Sequence, residues 1–208
     1  MKGLLLKDLY MTVKYCRIYL LIAVVFIAVS FAGNDSIFFI FYPCIFCGMI
    51  PVSLLGYDER SRWLQYSGTL PYTKTQIVSC KYLIGLMAQI AMLLLTAVAQ
   101  AVRMSVTGTF DPKNYTVLLL TIFMTALITL AISLPTMFRF GVEKGRIAYY
   151  IMVGVTCAAG GAASSIFGSD LHSKFSSEIF LPILCLAGIA VYALSWRLSV
   201  AFYKKREL

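Results

Sequence analysis

Polar side chains are scarce in this chain, so those that recur at helical spacing stand out. Downstream of Lys81, a long apolar run carries Gln89, Thr96, Gln100 and Arg103, separated by 7, 4 and 3 residues. On an α-helix these four fall within a sector of about 60°, and Tyr82 and Gly85 extend the same face. Amides, a hydroxyl and a guanidinium can bind and pass polar groups, but they do not by themselves make or break bonds. In hydrocarbon they are costly unless they face protein or water. The face is therefore expected to line a substrate path or to meet a partner helix, and both readings stand. Thr121, Thr125 and Thr129 form a weaker stripe on the next apolar run, because Thr hydroxyls can bond their own helix.

Bond-making chemistry finds no residues. The six Cys (16, 44, 47, 80, 157 and 185) are scattered. Cys44-x-x-Cys47 has no second pair or His at metal spacing, so these side chains read as small buried hydrophobes. His172 is the only His, and no metal role is expected for it. The apolar runs hold no paired carboxylates, no H-E-x-x-H and no Ser/His arrangement, so no catalytic residue is assigned. A nucleotide-binding loop is also missing. The nearest stretch, "GVEKGR" at 141–146, lacks the spacing and the Lys-Ser/Thr that cradle phosphates.

The elements that must position the polar face are set by composition. The 208 residues are 60% hydrophobic and 13% charged, with a net charge of +9. A soluble domain is about 45–50% apolar and about 25% charged, so the chain departs in the direction of a membrane protein. Nucleic acid is excluded as a partner. Its recognition needs a basic face on a soluble fold, whereas these bases sit at the ends of apolar runs, where lipid headgroups and topology account for them.

Six segments approach the length of about 20 residues that a spanning helix needs: residues 18–33, 36–56, 82–102, 115–138, 147–168 and 179–196. The first is short and is expected to extend back through Tyr15 and Cys16, with Arg17 reaching to the interface. With both termini in the cytoplasm, fifteen of the 18 Lys and Arg residues fall inside, leaving Arg103, Lys113 and Lys174 outside. That is a strong positive-inside asymmetry. Pro43, Pro51, Pro135 and Pro182 are expected to kink their spans. Gly160-Gly161, within "GVTCAAGGAASS", allows close helix packing or a break at membrane depth.

Residues 1–16 are amphipathic. Leu5, Leu9 and Val13, with Leu6 and Tyr10 beside them, make an apolar face, while Lys7, Asp8 and Lys14 stay polar. A helix lying in the cytoplasmic interface is expected. The outer loops are short. Asn34-Asp35 reads as a tight turn, and Asp111-Pro112 as an N-cap followed by Pro at the first helical position.

The longest cytoplasmic loop holds "DERSRWLQYSGTLPYTKTQIV", residues 58–78. A short helix is expected from Asp58 to about Ser67, with both acids at its positive end and Gly68 as its stop. Thr73-Lys74-Thr75-Gln76 is a capping box, and Tyr72 and Ile77 occupy the staple positions. A second helix therefore starts before the bilayer and continues into the third span. The loop becomes a rigid foot able to carry a push from a cytoplasmic partner, or, more simply, an interfacial loop anchored by Trp and Tyr.

The string from Asp58 through Leu83 resembles the first cytoplasmic loop of the ABC-2 type permeases, the membrane subunits of ATP-driven exporters. The matching positions are Asp58-Glu59, Arg62-Trp63, Leu70-Pro71, Lys74 and Lys81-Tyr82-Leu83. The chain is also similar to the compact permeases of Gram-positive bacteria that export phenol-soluble modulins or confer immunity to peptide antimicrobials. The resemblance implies one all-α integral-membrane domain over 1–208: six transmembrane helices, an interfacial helix at 1–16, a coupling loop at 57–80 and both termini cytoplasmic. In the family this loop docks on the ATPase, which marks Asp58, Glu59, Arg60, Arg62, Trp63 and Tyr66 as coupling residues. ATP and Mg²⁺ would be held by a separate ABC ATPase subunit, with no cofactor on this chain. A second permease, identical or paired, would complete the transporter in a bacterial plasma membrane. The implied function is export of amphipathic or hydrophobic substrates, with peptides as the expected class; the alternative is a sensor or immunity subunit that binds peptide without moving it.

Overall fold

A computed structural model describes residues 2–15, 17–32, 38–67, 69, 71–107, 111–167 and 180–205. Among these, all regular structure is helical: α1 (Lys2–Tyr15), α2 (Arg17–Ala32), α3 (Phe38–Cys47), α4 (Met49–Arg60), α5 (Trp63–Ser67), α6 (Lys74–Thr107), α7 (Pro112–Phe140), α8 (Val142–Phe167) and α9 (Phe180–Lys205). The expected turn at Asn34-Asp35, the stop at Gly68 and the loop carrying His172 lie outside the described residues. By length and composition, three described segments can cross a bilayer: Lys74–Val106, Tyr115–Phe140 and Cys185–Lys205. Lys2–Tyr15 and Arg17–Ser30, bent by 57° to each other, would make a fourth if they form one span.

The longest element is α6, and its start is dictated locally. The Thr73 hydroxyl accepts the Gln76 N–H at 3.3 Å, and the Gln76 side-chain oxygen accepts the Thr73 N–H at 3.2 Å. This is the reciprocal capping box read from the sequence. From there α6 runs 34 residues, or about 50 Å at about 1.5 Å per residue, against a hydrocarbon core of about 30 Å. At the other end of the next helix pair, Pro112 opens α7 as expected, and the Tyr115 N–H returns to the Asp111 carbonyl at 3.0 Å.

Two expectations change, and one open alternative closes. The second span is two helices, α3 and α4, parted at Gly48. Pro51 cannot donate to the carbonyl four residues back. The Gly48 N–H instead makes a tight bond to the Ile45 carbonyl at 3.0 Å, a carbonyl that also accepts the Tyr149 hydroxyl. A Cβ on Gly48 would meet Tyr149 and Thr129 at 3.3 and 3.4 Å, so the break is clamped from α7 and α8. At the second site, α4 continues through Arg60, so Asp58 and Glu59 close α4 rather than open a new helix. The break falls at Arg62, whose φ of 52° ends the run. Its carbonyl then starts α5 by accepting the Gln65 N–H at 3.1 Å. Finally, α8 passes unbroken through Gly160-Gly161, so the chain does not re-enter there.

On α1 the face that packs on the bundle is not the apolar stripe expected to lie in the interface. Leu4 and Asp8, four apart, are its buried positions, while Leu6, Leu9, Tyr10 and Val13 are exposed. The apolar stripe points away from the bundle, toward the side where a bilayer would supply the oil. α2 and α9 likewise expose Ile18, Leu21, Val24, Leu186, Ile189 and Leu194, as lipid-facing helices do. Inside, Ile50, Leu54, Ile84, Met92, Ile122 and Leu134 fill the space between α4, α6 and α7.

The cap makes a direct prediction. Thr73→Ala should destabilise the protein by about 1 kcal/mol, and Thr73→Ser should retain most of that stability. Denaturation midpoints of the detergent-solubilised chain would show the difference.

Candidate functional site

Four charged side chains meet where α1, α4 and α6 converge. The Lys81 ammonium lies 2.5 Å from Asp58 Oδ2 and 2.8 Å from Asp8 Oδ2. Lys7 Nζ donates to Asp58 Oδ1 at 2.5 Å and stands 3.4 Å from Asp8 Oδ1. The Lys81, Asp8 and Asp58 side chains are only 3%, 2% and 4% exposed, and Lys7 is 25% exposed. Two acids and two bases leave the cluster neutral. It is extended on one side by the Cys80 thiol, which donates to Asp8 Oδ2 at 3.8 Å. On the other, Lys7 Nζ stands 3.9 Å from the centre of the Trp63 ring. Desolvating such ions costs several kcal/mol each and is offset only when every partner is present.

Each helix supplies its charge from a position its own geometry fixes. Asp8 is one turn beyond Leu4 on α1's packed face. Asp58 is one turn beyond Leu54 on α4. Lys81 lies two turns into α6, past the capping box. Taken singly, Asp8 belongs to the polar side of α1 and Lys81 precedes an apolar run, and neither position alone reveals the cluster. The signal was Leu4 and Asp8 sharing a face, and Lys81 lying inside a helix whose start the sequence already placed at residue 73.

The six coupling candidates divide accordingly. The Asp58 carboxylate is turned inward and pairs with Lys7 and Lys81. Trp63 is half-buried, its ring between Lys7 and the Tyr66 ring, whose centroid is 5.5 Å away. Glu59, Arg60, Arg62 and Tyr66 are exposed, with Tyr66 59% accessible. Glu59 has a second attachment, because its Oε2 accepts the Val142 N–H at 3.3 Å. This satisfies one of the orphan donors at the start of α8. The loop segment is thus tied at once to α1, α6 and α8.

The polar face of α6 is buried as a set. Gln89, Thr96 and Gln100 are at most 5% exposed, and Arg103 is half-buried. The Thr96 hydroxyl donates back to the carbonyls of Met92 and Leu93 at 3.0 Å, and Cys44 Sγ stands 4.0 Å away. Both amide atoms of Gln89 lack a hydrogen-bond partner among the described residues, a condition that costs about 1–3 kcal/mol per group when buried. Tyr82, on the same face, is fully engaged. Its hydroxyl lies 2.7 Å from both Ser195 and Ser199. Ser195 donates to the Ala131 carbonyl at 2.6 Å, so Tyr82 must donate to Ser195 and accept from Ser199. The Tyr192 hydroxyl donates to the Tyr82 carbonyl at 2.8 Å. These contacts join α6, α7 and α9, and the serines are ones that sequence spacing did not single out. Thr121, Thr125 and Thr129 bond carbonyls of their own helix, as Thr hydroxyls do. Among the described residues no group of His, Cys, Asp and Glu could hold a metal ion, and Cys44, Cys47, Cys80 and Cys185 are free thiols.

The described residues thus form an apolar helical bundle with a buried polar face on α6 and a capped loop before it. The chain belongs to the ABC-2 family of transporter proteins, whose family model it matches over residues 3–204. No curated protein and no solved structure gives a significant match. Membership makes the chain the membrane-embedded subunit of an ABC transporter rather than its catalytic one.

The buried cluster predicts a non-additive double mutant. Lys81→Met should destabilise the protein by about 3–5 kcal/mol, since it strands two carboxylates. Adding Asp8→Asn to Lys81→Met should recover part of that loss, whereas independent sites would add. Thermal denaturation in detergent of the two singles and the double reads the cycle.

Proposed function

We propose that this protein is the permease of an ABC exporter and that the segment from Glu59 to Tyr66 receives the stroke of a separate ABC ATPase. The observation that carries this reading is the interlock of α1, α4 and α6 beneath an exposed row of Glu59, Arg60, Arg62 and Tyr66. A push on that row cannot be absorbed locally. The ion cluster passes it to the interfacial helix and to the foot of α6, and Glu59 passes it to α8. ATP and Mg²⁺ belong to the partner subunit. Two permease units, identical or paired, would enclose the path and alternate between inward-open and outward-open forms, with ATP binding biasing the equilibrium.

The buried face of α6 supports a reading of the substrate class. Two amides and a hydroxyl in apolar surroundings suit an amphipathic or hydrophobic substrate that carries amide groups, which describes a peptide. Gln89, whose amide lacks a hydrogen-bond partner among the described residues, is the side chain best placed to change partners as the path opens. A bacterial plasma membrane is the proposed location.

Two experiments test the reading. Arg62→Ala with Tyr66→Ala should leave the solubilised permease as stable as wild type but cut co-purification with its ATPase, or the ATP turnover of the assembled complex, by about tenfold; a loss of about 1.4 kcal/mol of coupling would suffice. Unchanged assembly and turnover would remove the docking role. Separately, Gln89→Leu should raise the stability of the permease while lowering substrate-stimulated ATP turnover. Higher stability with unaltered turnover would make the face structural.

A further inference from the structure

The ends of α4 and α8 enclose a cleft of about 430 Å³, lined in part by Gly56, Glu59, Arg60, Gly141, Lys144 and Arg146. Two glycines shape it. Gly141, at φ 86°, is in the left-handed region that glycine adopts without steric cost. Its N–H returns to the Met137 carbonyl at 2.9 Å, so α7 ends and α8 begins across a single residue. Gly56 lets the Arg146 guanidinium lie flat against α4, with Nη2 only 2.9 Å from where a Cβ would stand.

The charges in this cleft are unequal in what they have to do. Glu59 is engaged by the Val142 N–H, and Glu143 is exposed in the first turn of α8. The three bases, Arg60, Lys144 and Arg146, take part in none of the ion pairs of the Lys7–Asp8–Asp58–Lys81 cluster. A concave site with three uncommitted cations, one of them a planar guanidinium half-sunk in its wall, has the chemistry that binds phosphate oxygens.

We propose that this cleft binds a phosphate-bearing anion: the headgroup of an anionic phospholipid, or the free anion. A headgroup lodged there would bridge α4 and α8 at the end of the bundle, beside the Glu59 contact. This inference does not rest on the docking role of the neighbouring segment, since it concerns the permease without its ATPase.

The test uses the full chain in detergent, titrated with phosphatidylglycerol or phosphatidylcholine and read by native mass spectrometry. Phosphatidylglycerol should be retained in preference. Lys144→Gln and Arg146→Gln should each weaken it about fivefold, whereas Lys204→Gln at the end of α9 should not. Inorganic phosphate added to the lipid-free protein separates the two sources. If it raises the melting temperature of the wild type, and the two variants abolish that effect, the cleft accepts the free anion. If phosphate is inert while the variants lose phosphatidylglycerol, the ligand is the headgroup. Equal phosphatidylglycerol retention by wild type and by the Lys144→Gln/Arg146→Gln double variant, with phosphate inert in both, overturns the proposal.

Discussion

Everything at one end of this molecule depends on two lysines and two aspartates being buried together. None of the four charges is tolerable there alone, because the desolvation penalty of each is offset only by its neighbours. Their helices are therefore held in one relative position: α1 cannot slide without withdrawing Asp8 from the Lys81 ammonium, and α4 cannot turn without withdrawing Asp58. Apolar packing elsewhere in the bundle is forgiving of small shifts, since methyl groups have no fixed partner. The ion cluster is not, and so it sets the register that the apolar contacts then fill.

The same constraint explains why α1 packs as it does. A purely hydrophobic amphipathic helix would have laid its Leu9–Val13 stripe on the bundle. Instead the bundle takes Leu4 and Asp8, and the stripe is left facing outward. In water that would be unfavourable; against a bilayer it costs nothing, because lipid is as apolar as the protein core. The polar side of α1 is thus spent on specificity inside the fold and its apolar side on attachment to the membrane, the reverse of the arrangement in a soluble protein.

Several elements of the fold are readable in the sequence. Composition marked the membrane, the capping box placed the start of α6 to the residue, and Asp111-Pro112 placed the start of α7. The buried face of Gln89, Thr96 and Gln100 followed from spacing alone. What stayed hidden depends on tertiary partners. Asp58 looked like a surface acid at a helix start because nothing local reveals that Lys7 and Lys81, 51 residues before and 23 after it, converge on its carboxylate. The end of α4 was misread because the left-handed backbone at Arg62 has no compositional marker; a glycine there would have announced it, as Gly141 does between α7 and α8. Ser195 and Ser199 escaped notice because a serine in a span becomes informative only when its hydroxyl partner, here Tyr82 on another helix, is known.

The single-residue joint at Gly141 has a mechanical meaning of its own. Two long helices connected by a flexible loop can rotate independently, because the loop takes up the difference. Here there is no slack to take up. The last turn of α7 and the first turn of α8 share one glycine, and the start of α8 is also held by Glu59 at the end of α4. A tilt of α4 would pull on α8 through the Glu59–Val142 bond, and a tilt of α8 would reach α7 with the two backbone torsions of Gly141 as its bearing. The three helices form a geared train rather than a set of independent rods.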